Sequence, residues 1–398
     1  MPAHILKKAL LCVMVFLVAS LGKVIPTVAC SWGYLIWIPR SPSADPLYRF
    51  IQGDKAGYID RNGRVVIPPL LPWWGESGGE FHDGLLEIGL AVYVDVTGKK
   101  VIDRGLDAGW DFSEGLAAAM ENGSTRWGYI NTTGAFEIIP QFETYPNGYV
   151  WPFEGGLAKV QVGDLFGYID HSGVFVIEPR FIDADSFFDD VARVVVEGPC
   201  FYFRIFEENP CPEGGIVPKS AKNQTNVPPC KYTFIDRTGR IVSSRRFDYL
   251  RHFSEGLAPF ADGKKWGYID KRGETAVSPQ FESAAPFSDG FALVSQDERY
   301  GYINHSGAYV IPPQFEYAED FVDGRAVVGK PDFQYWYIGH DGKQAFPGSF
   351  ELASPFFEGL AHVKLLTGPK LSVNDESSEA GKYAYIDKNG RIVFTYER

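Results

Sequence analysis

Methionine and histidine are scarce in this chain of 398 residues, with 3 and 7 copies. So few histidines leave little material for metal centres or for histidine-based proton transfer. Cysteine is sparse as well, at 5, and no C-x-x-C pair occurs, so the usual zinc spacing is missing. Positive charge is in deficit. Lys and Arg number 38 against 50 Asp and Glu, for a formal charge of −12. A nucleic-acid binder needs a basic face to meet phosphates, so nucleic acid is excluded as a partner. No nucleophile elbow, phosphate loop or zinc helix is present, and no cofactor is expected. What the chain has instead is 9 Trp, 21 Tyr and 30 Phe, together with 43 Gly and 27 Pro. Aromatic residues interleaved with turn formers point to short strands and tight turns.

Residues 1–29 read as a secretory signal peptide. Lys7 and Lys8 give a positive start, an apolar run extends from Ala9 to Gly22, and small residues stand at Thr27, Val28 and Ala29. That run is shorter than the roughly 20 residues of a membrane-spanning helix. Three outcomes stay open: ordinary cleavage after Ala29, lipidation of Cys30 in a degenerate lipobox (Thr27-Val28-Ala29-Cys30), or an uncleaved anchor. Each places the body outside the cytoplasm, secreted, periplasmic or anchored to the envelope through the N-terminus. Residues 30–46 read as a linker. Cysteine usage agrees with export. Cys12 leaves with the signal, and Cys200, Cys211 and Cys230 fall within 31 residues, so at least one disulfide is expected there.

From residue 47 to 395 the chain repeats itself. The fullest copy of the phrase is Trp266-Gly267-Tyr268-Ile269-Asp270-Lys271-Arg272-Gly273. It recurs from Trp127 to Gly134, Phe166 to Gly173 and Tyr300 to Gly307, and weaker copies end at Gly63, Gly98, Gly239, Gly342 and Gly390. Six of the eight gaps between successive end glycines are 34–39 residues, which defines the unit. A Phe-x-Glu/Asp-Gly-Leu-Ala phrase precedes it, as from Phe112 to Ala119. A Val-Ile-x-Pro-x-Phe phrase follows it, as from Val310 to Phe315. All three alternate side chains with the strand period. The Asp-x-x-Gly link is hairpin chemistry.

The phrase resembles the WG-repeat family of bacterial proteins, named for pairs such as Trp127-Gly128 and Trp266-Gly267. Phe166 and Tyr300 stand in for the Trp, Ala56 replaces it, and Thr233 stands where the Gly belongs. The resemblance implies a repeat architecture and supplies no catalytic residues. A unit of about 35 residues cannot bury its own aromatics, so neighbours must share one core. The expected fold is all-β: a tandem array of about nine three-stranded repeats, either propeller-like or an open β-solenoid or superhelix. The Phe-x-x-Ala-x-x-Phe connector, as from Phe281 to Phe287, has room for a brief fourth strand.

Departures from the repeat point to function. Insertions at 197–231 and 367–382 fall at one place in the unit, between the Gly-Leu-Ala and Gly-Tyr-Ile-Asp strands. Loops on one rim of a rigid scaffold commonly bind partners. Phe201, Tyr202 and Phe203 in the first insertion are therefore candidate binding residues. Trp73 and Trp74, in a different connector, either stack on a sugar or protein partner or cap the array. Asp60, Asp95, Asp170, Asp236, Asp270 and Asp387 read as Asx-turn acceptors. His171, His305 and His340 share their position with Arg61, Thr132, Arg237, Lys271 and Lys388, so they read as solvated turn residues. The acids Glu114, Glu255, Asp289, Asp323 and Glu358 read the same way. No catalytic, cofactor or metal residues are assigned. The expected function is non-catalytic binding of an unknown protein or glycan at the bacterial cell envelope. The alternatives are an envelope hydrolase acting on a glycan and a purely structural spacer.

Overall fold

The computed structural model describes residues 46–72, 79–89, 91–143, 150–197, 231–330, 334–366 and 381–398, all in one compact unit. No helix occurs among the described residues, and strands run from Tyr48 to Glu397. The expected signal segment and residues 30–45 of the linker lie outside the described residues.

The unit is most complete in the sheet formed by Tyr249–Leu250, Leu257–Asp262, Lys265–Asp270 and Thr275–Phe281. In chain order these are a lead, a second, a tyrosine and an edge strand, all antiparallel. The lead strand is the brief fourth strand that the connector had room for, so three strands per unit is an undercount wherever it forms. Among the described residues the strands make eight sheets rather than nine separate units. The difference arises at the C-terminal end, where Tyr335 pairs with Phe350 and joins two expected copies into one seven-stranded sheet.

Second and tyrosine strands are buried along most of their length, as in Leu257–Asp262 and Lys265–Asp270, whereas the edge strand Thr275–Phe281 alternates between exposed and buried. Burial on both faces means that each sheet is sandwiched by two others. The core accordingly lies between sheets. Trp266, Tyr268, Val277 and Phe281 of one sheet pack with Ala284, Phe287, Ala292, Val294 and Ile303 of the next. The first sheet meets the last in the same way. Tyr48, Phe50 and Ile59 share a core with Leu360 and Tyr385, and the Phe50 ring lies 5.0 Å from Phe394. The array therefore closes on itself, which selects the propeller-like form over the open solenoid.

The repeated tyrosine forms the link between sheets. Tyr268 donates its hydroxyl to the Ala285 carbonyl at 2.8 Å, and Tyr302 donates to Glu319 at 2.6 Å. Tyr58, Tyr93, Tyr129 and Tyr168 do the same toward Gly79, Trp110, Trp151 and Asp185, and Tyr337 makes the equivalent bond to Ser354 within the seven-stranded sheet. Tyr385, in the last copy, donates to Arg49 of the first sheet.

The glycine before the tyrosine has its own cause. Opposite it the edge strand bulges: Trp266 pairs with Phe281 but Tyr268 with Val277. The bulge lowers backbone onto Gly267, where a Cβ would stand 2.4 Å from the Val277 carbonyl oxygen and 2.7 Å from the Pro279 nitrogen. Gly128, Gly167 and Gly301 meet the same obstruction. Where the glycine is replaced by Thr233 or Trp336, the edge strand dissolves into isolated bridges, Ile235 to Ile241 and Ile338 to Gln344. Gly267→Ala is therefore expected to lower unfolding free energy by roughly 2–4 kcal/mol, the scale of a clash with backbone that cannot give. Ala384→Gly, at the equivalent place in the last copy, where the edge strand pairs without that bulge, is expected to cost under about 1 kcal/mol, a backbone-entropy effect with no clash. Urea denaturation of both variants is the check, and equal losses would refute the clash.

Candidate functional site

The residues singled out by sequence as a binding surface, Trp73, Trp74, Phe201, Tyr202 and Phe203, lie outside the described residues. So do Cys200, Cys211 and Cys230, and the lipidation candidate Cys30. The flanks of the two insertions are described. Val191–Glu197 pairs with Lys231–Asp236, and Leu360–Leu365 pairs with Lys382–Asp387. Both insertions thus leave from the same hairpin of their sheets, between second and tyrosine strands.

The repeat acids divide into two kinds. Asp60, Asp95, Asp170, Asp236, Asp270 and Asp387 each accept backbone N–H bonds from residues two and four ahead through Oδ1. They are Asx turns, as their spacing predicted. The second kind corrects the sequence reading. Glu114, Glu255, Asp289 and Asp323 are not merely turn residues facing water. Each sits at positive φ and accepts the N–H of the corresponding glycine in the next unit: Gly156, Gly290, Gly324 and Gly359. Asp83 and Asp189 do the same toward Gly115 and Gly256.

The shared histidine position belongs to this arrangement too. His171 stacks on Phe153 at 4.2 Å and brings Nε2 to 3.4 Å from Glu114. His305 stacks on Phe287 at 4.1 Å and comes to 3.2 Å from Glu255. Lys388 makes the equivalent contact with Asp323 at 3.0 Å. At Gly155 the acid is missing. There Arg237 bridges the gap, bonding the Gly155 carbonyl and the Asp190 carboxylate. These side chains fasten units together, so they are not simply solvated.

Chemistry beyond the repeat sits on the lead strands and the second-strand residues beside them. Arg193 forks onto Asp185 at 2.7 and 2.9 Å, bonds the Leu250 carbonyl, and lies 4.8 Å above the Tyr232 ring. Lys159 donates to the Ala184 carbonyl at 2.6 Å and stands 3.9 Å over the Trp151 ring. Burial lowers the pKa of Lys159, with Asp185 and Asp183 pulling the other way. Burial, then Asp185, raises that of Asp183. This set is internally paired.

A second set is not. The Arg251 guanidinium lies 5.0 Å over the Trp266 ring, with no side-chain hydrogen bond or ion pair among the described residues. Two sheets on, Glu319 accepts a bond from the Tyr317 hydroxyl through Oε1, but its Oε2 and the Oδ1 of Asp320 are buried with no hydrogen-bond partner. Burial pushes the Glu319 carboxyl up to about 7, opposed by the Tyr317 bond and helped by Asp320. Burial pushes Asp320 up to about 6, opposed by the charge of Arg251. Sequence reasoning missed these three residues. The available signal was that the two places before the Phe of each Phe-x-x-Ala-x-x-Phe connector follow no repeat rule.

Among the described residues no group of three His, Cys, Asp or Glu is placed to hold a metal ion. The family model of the WG containing repeat matches residues 57–73, 93–124, 127–166, 166–198, 232–266, 266–300 and 300–330, more than half of the chain. That is seven stretches rather than the nine copies expected from sequence. No curated protein matches. A crystal structure of a eukaryotic initiation factor is similar with a TM-score of 0.54 at 11% identity, covering 89% of this chain and 96% of that one. BamB from Moraxella catarrhalis gives 0.35 at 10% identity, covering 80% and 93%. The C-terminal WD40 domain of Sif2 gives 0.35 at 9% identity, covering 72% and 84%. The likeness to the initiation factor concerns the fold alone.

The acid pair makes a pH-dependent contribution whose sign is fixed. Both folded pKa values lie above the unfolded ones, so ionising these carboxyls costs stability. That cost is complete above about pH 7 and is relieved as pH falls and both take up protons. Glu319→Gln is expected to stabilise the chain by about 1–3 kcal/mol at pH 8. Most of that gain should vanish at pH 5, as read from denaturation midpoints at the two values.

Proposed function

This chain belongs to the family of proteins built from the WG containing repeat, and from its geometry we propose that it is a non-catalytic binding or scaffold protein acting outside the cytoplasm. One observation carries the reading. The recurring acids, histidines and tyrosines that resemble chemistry in the sequence are engaged in holding sheet to sheet. What remains for a partner is the irregular part of the chain, above all the insertions that leave from equivalent hairpins. The reading takes export from residues 1–29 and partner contact from the aromatic run Phe201-Tyr202-Phe203. The partner class is protein or glycan, since a chain with a formal charge of −12 repels nucleic acid.

The test is crosslinking capture from native envelope extract with two baits, the full body and the same body with residues 198–230 replaced by a short Gly-Ser turn. A partner held by the first and lost by the second, with both baits melting cooperatively, is the expected result. Equal capture by both would overturn the insertion as the contact.

A second reading, hydrolysis of a glycan, draws on Glu319 and Asp320, a close acid pair outside the repeat rules with raised pKa values. It requires glycan turnover by the purified chain that disappears in Glu319→Gln.

A further inference from the structure

Arg251, Ala285 and Glu319 occupy one register position in three successive units. Each stands two residues before a core phenylalanine: Phe253, Phe287 and Phe321. The tyrosine bonds fix that register for Ala285 and Glu319, through Tyr268 and Tyr302, and the Phe234–Phe253 ring contact keeps it at Arg251. Asp320 follows Glu319 as Pro286 follows Ala285. So a cationic wall and an acidic wall stand on either side of a small, uncharged pair. Both walls are partly open to solvent. The walls sense each other: the charge of Arg251 acts on Asp320, and both act on the Tyr268 hydroxyl beneath Ala285. Yet no ion pair joins Arg251 to either acid among the described residues. In the preceding sheet the comparable charges, Arg193 and Asp185, do pair, at 2.7 Å. The contrast matters, because opposite charges at partly buried positions normally find each other or a substitute.

We propose that the lead strands between Arg251 and Asp320 hold a small zwitterion, its carboxylate on Arg251 and its ammonium on Asp320 and Glu319. Arg251 suits the first task. Trp266 lies 5.0 Å below the guanidinium, and no side chain among the described residues takes its N–H donors, which suits them to a bidentate carboxylate. Asp320 Oδ1 and Glu319 Oε2 suit the second, since a cation supplies the partner that both lack. An ammonium there also removes the cost of ionising two neighbouring buried acids. The walls stand two sheets apart, so the ligand's charges must sit at the ends of an extended spacer rather than on one carbon. Ala285 and Pro286 offer the spacer an uncharged surface. The chemical class is therefore a short peptide or an ω-amino acid. This site is separate from the insertion invoked for partner binding.

Titration calorimetry of the full chain at pH 8 tests it, with glycine, 4-aminobutanoate and 6-aminohexanoate as a length series. Hexanoate and hexylamine serve as single-charge controls. Saturable binding by a long member is expected, with each control weaker by about tenfold or more, as loss of one charge-assisted contact requires. Arg251→Gln and Asp320→Asn should each cost about tenfold or more, while Arg251→Lys, which keeps the charge, should retain part of the affinity. The chain lacking 198–230 should bind like the full chain, so failure here and failure of the partner reading are distinguishable. Absence of binding by every zwitterion would overturn the proposal. So would unchanged affinity in Arg251→Gln and Asp320→Asn variants whose circular dichroism and melting match the parent.

Discussion

Everything in this fold depends on a buried phenol that must find an acceptor. The repeated tyrosine lies in the core between sheets, where its ring contributes packing and its hydroxyl is cut off from water. A buried hydroxyl without a partner is costly, and at that depth the acceptor used is a carbonyl of the next unit. The bond sets how far apart and in what register successive sheets stand. Repeated along the chain, it carries the same spacing from sheet to sheet until Tyr385 reaches Arg49 in the first one. Where Phe234 replaces the tyrosine, no such bond exists, and an edge contact between the Phe234 and Phe253 rings at 4.9 Å holds the sheets instead. Tyr168 and Phe187 make the same ring contact at 4.9 Å, so the phenylalanine keeps the packing and gives up only the polar half of the link.

A second set of links runs through the turns between lead and second strands. An acid in left-handed conformation accepts the N–H of the glycine in the next turn, and a histidine or lysine of that next unit reaches the same carboxylate at several places. The tyrosine links are buried and uncharged, and the acid links are solvent-facing and charged. Exposed contacts of this kind contribute little each, so their value lies in orienting the turns rather than in net stability. The Arg237 bridge at Gly155 shows the geometric demand most plainly. With the acid absent, a cation from the following unit bonds the turn carbonyl itself and ties it to Asp190.

Much of this was legible in the residues. The phrase around Gly267 implied strands, a shared core and Asx turns, and all three follow from short-range chemistry. The loss of the edge strand was legible in hindsight at Thr233 and Trp336, since a side chain there cannot lie under the bulge that Gly267 admits. Three things were not. Closure was hidden, because it depends on the accumulated rotation between sheets, to which no single copy testifies. The partners of Glu114 and Asp189 were hidden, because they lie 42 and 67 residues away in the next unit. The Arg251, Glu319 and Asp320 set was hidden for a different reason: it obeys no repeat pattern, and repeat analysis discards what does not recur.

That last point has a physical basis. The lead strand serves the fold through its backbone, since the tyrosine takes a carbonyl oxygen and is indifferent to the side chain that shares the residue. Gly79, Trp110, Trp151, Asp185, Ala285, Glu319 and Ser354 all fill the acceptor place. No side-chain property is common to that set. A position defined by its carbonyl and free in its side chain can gain or lose charge without disturbing the spacing of the sheets. Residues on the second and tyrosine strands have less freedom, because both of their faces are packed, and the charged second-strand residues Lys159 and Arg193 are taken up by the Ala184 carbonyl and the Asp185 carboxylate beside them. Variation with unpaired charge must therefore collect on the lead strands and in the insertions. The lead strands offer it on a rigid frame, with neighbours in fixed register, which is the condition for selective recognition of a small ligand.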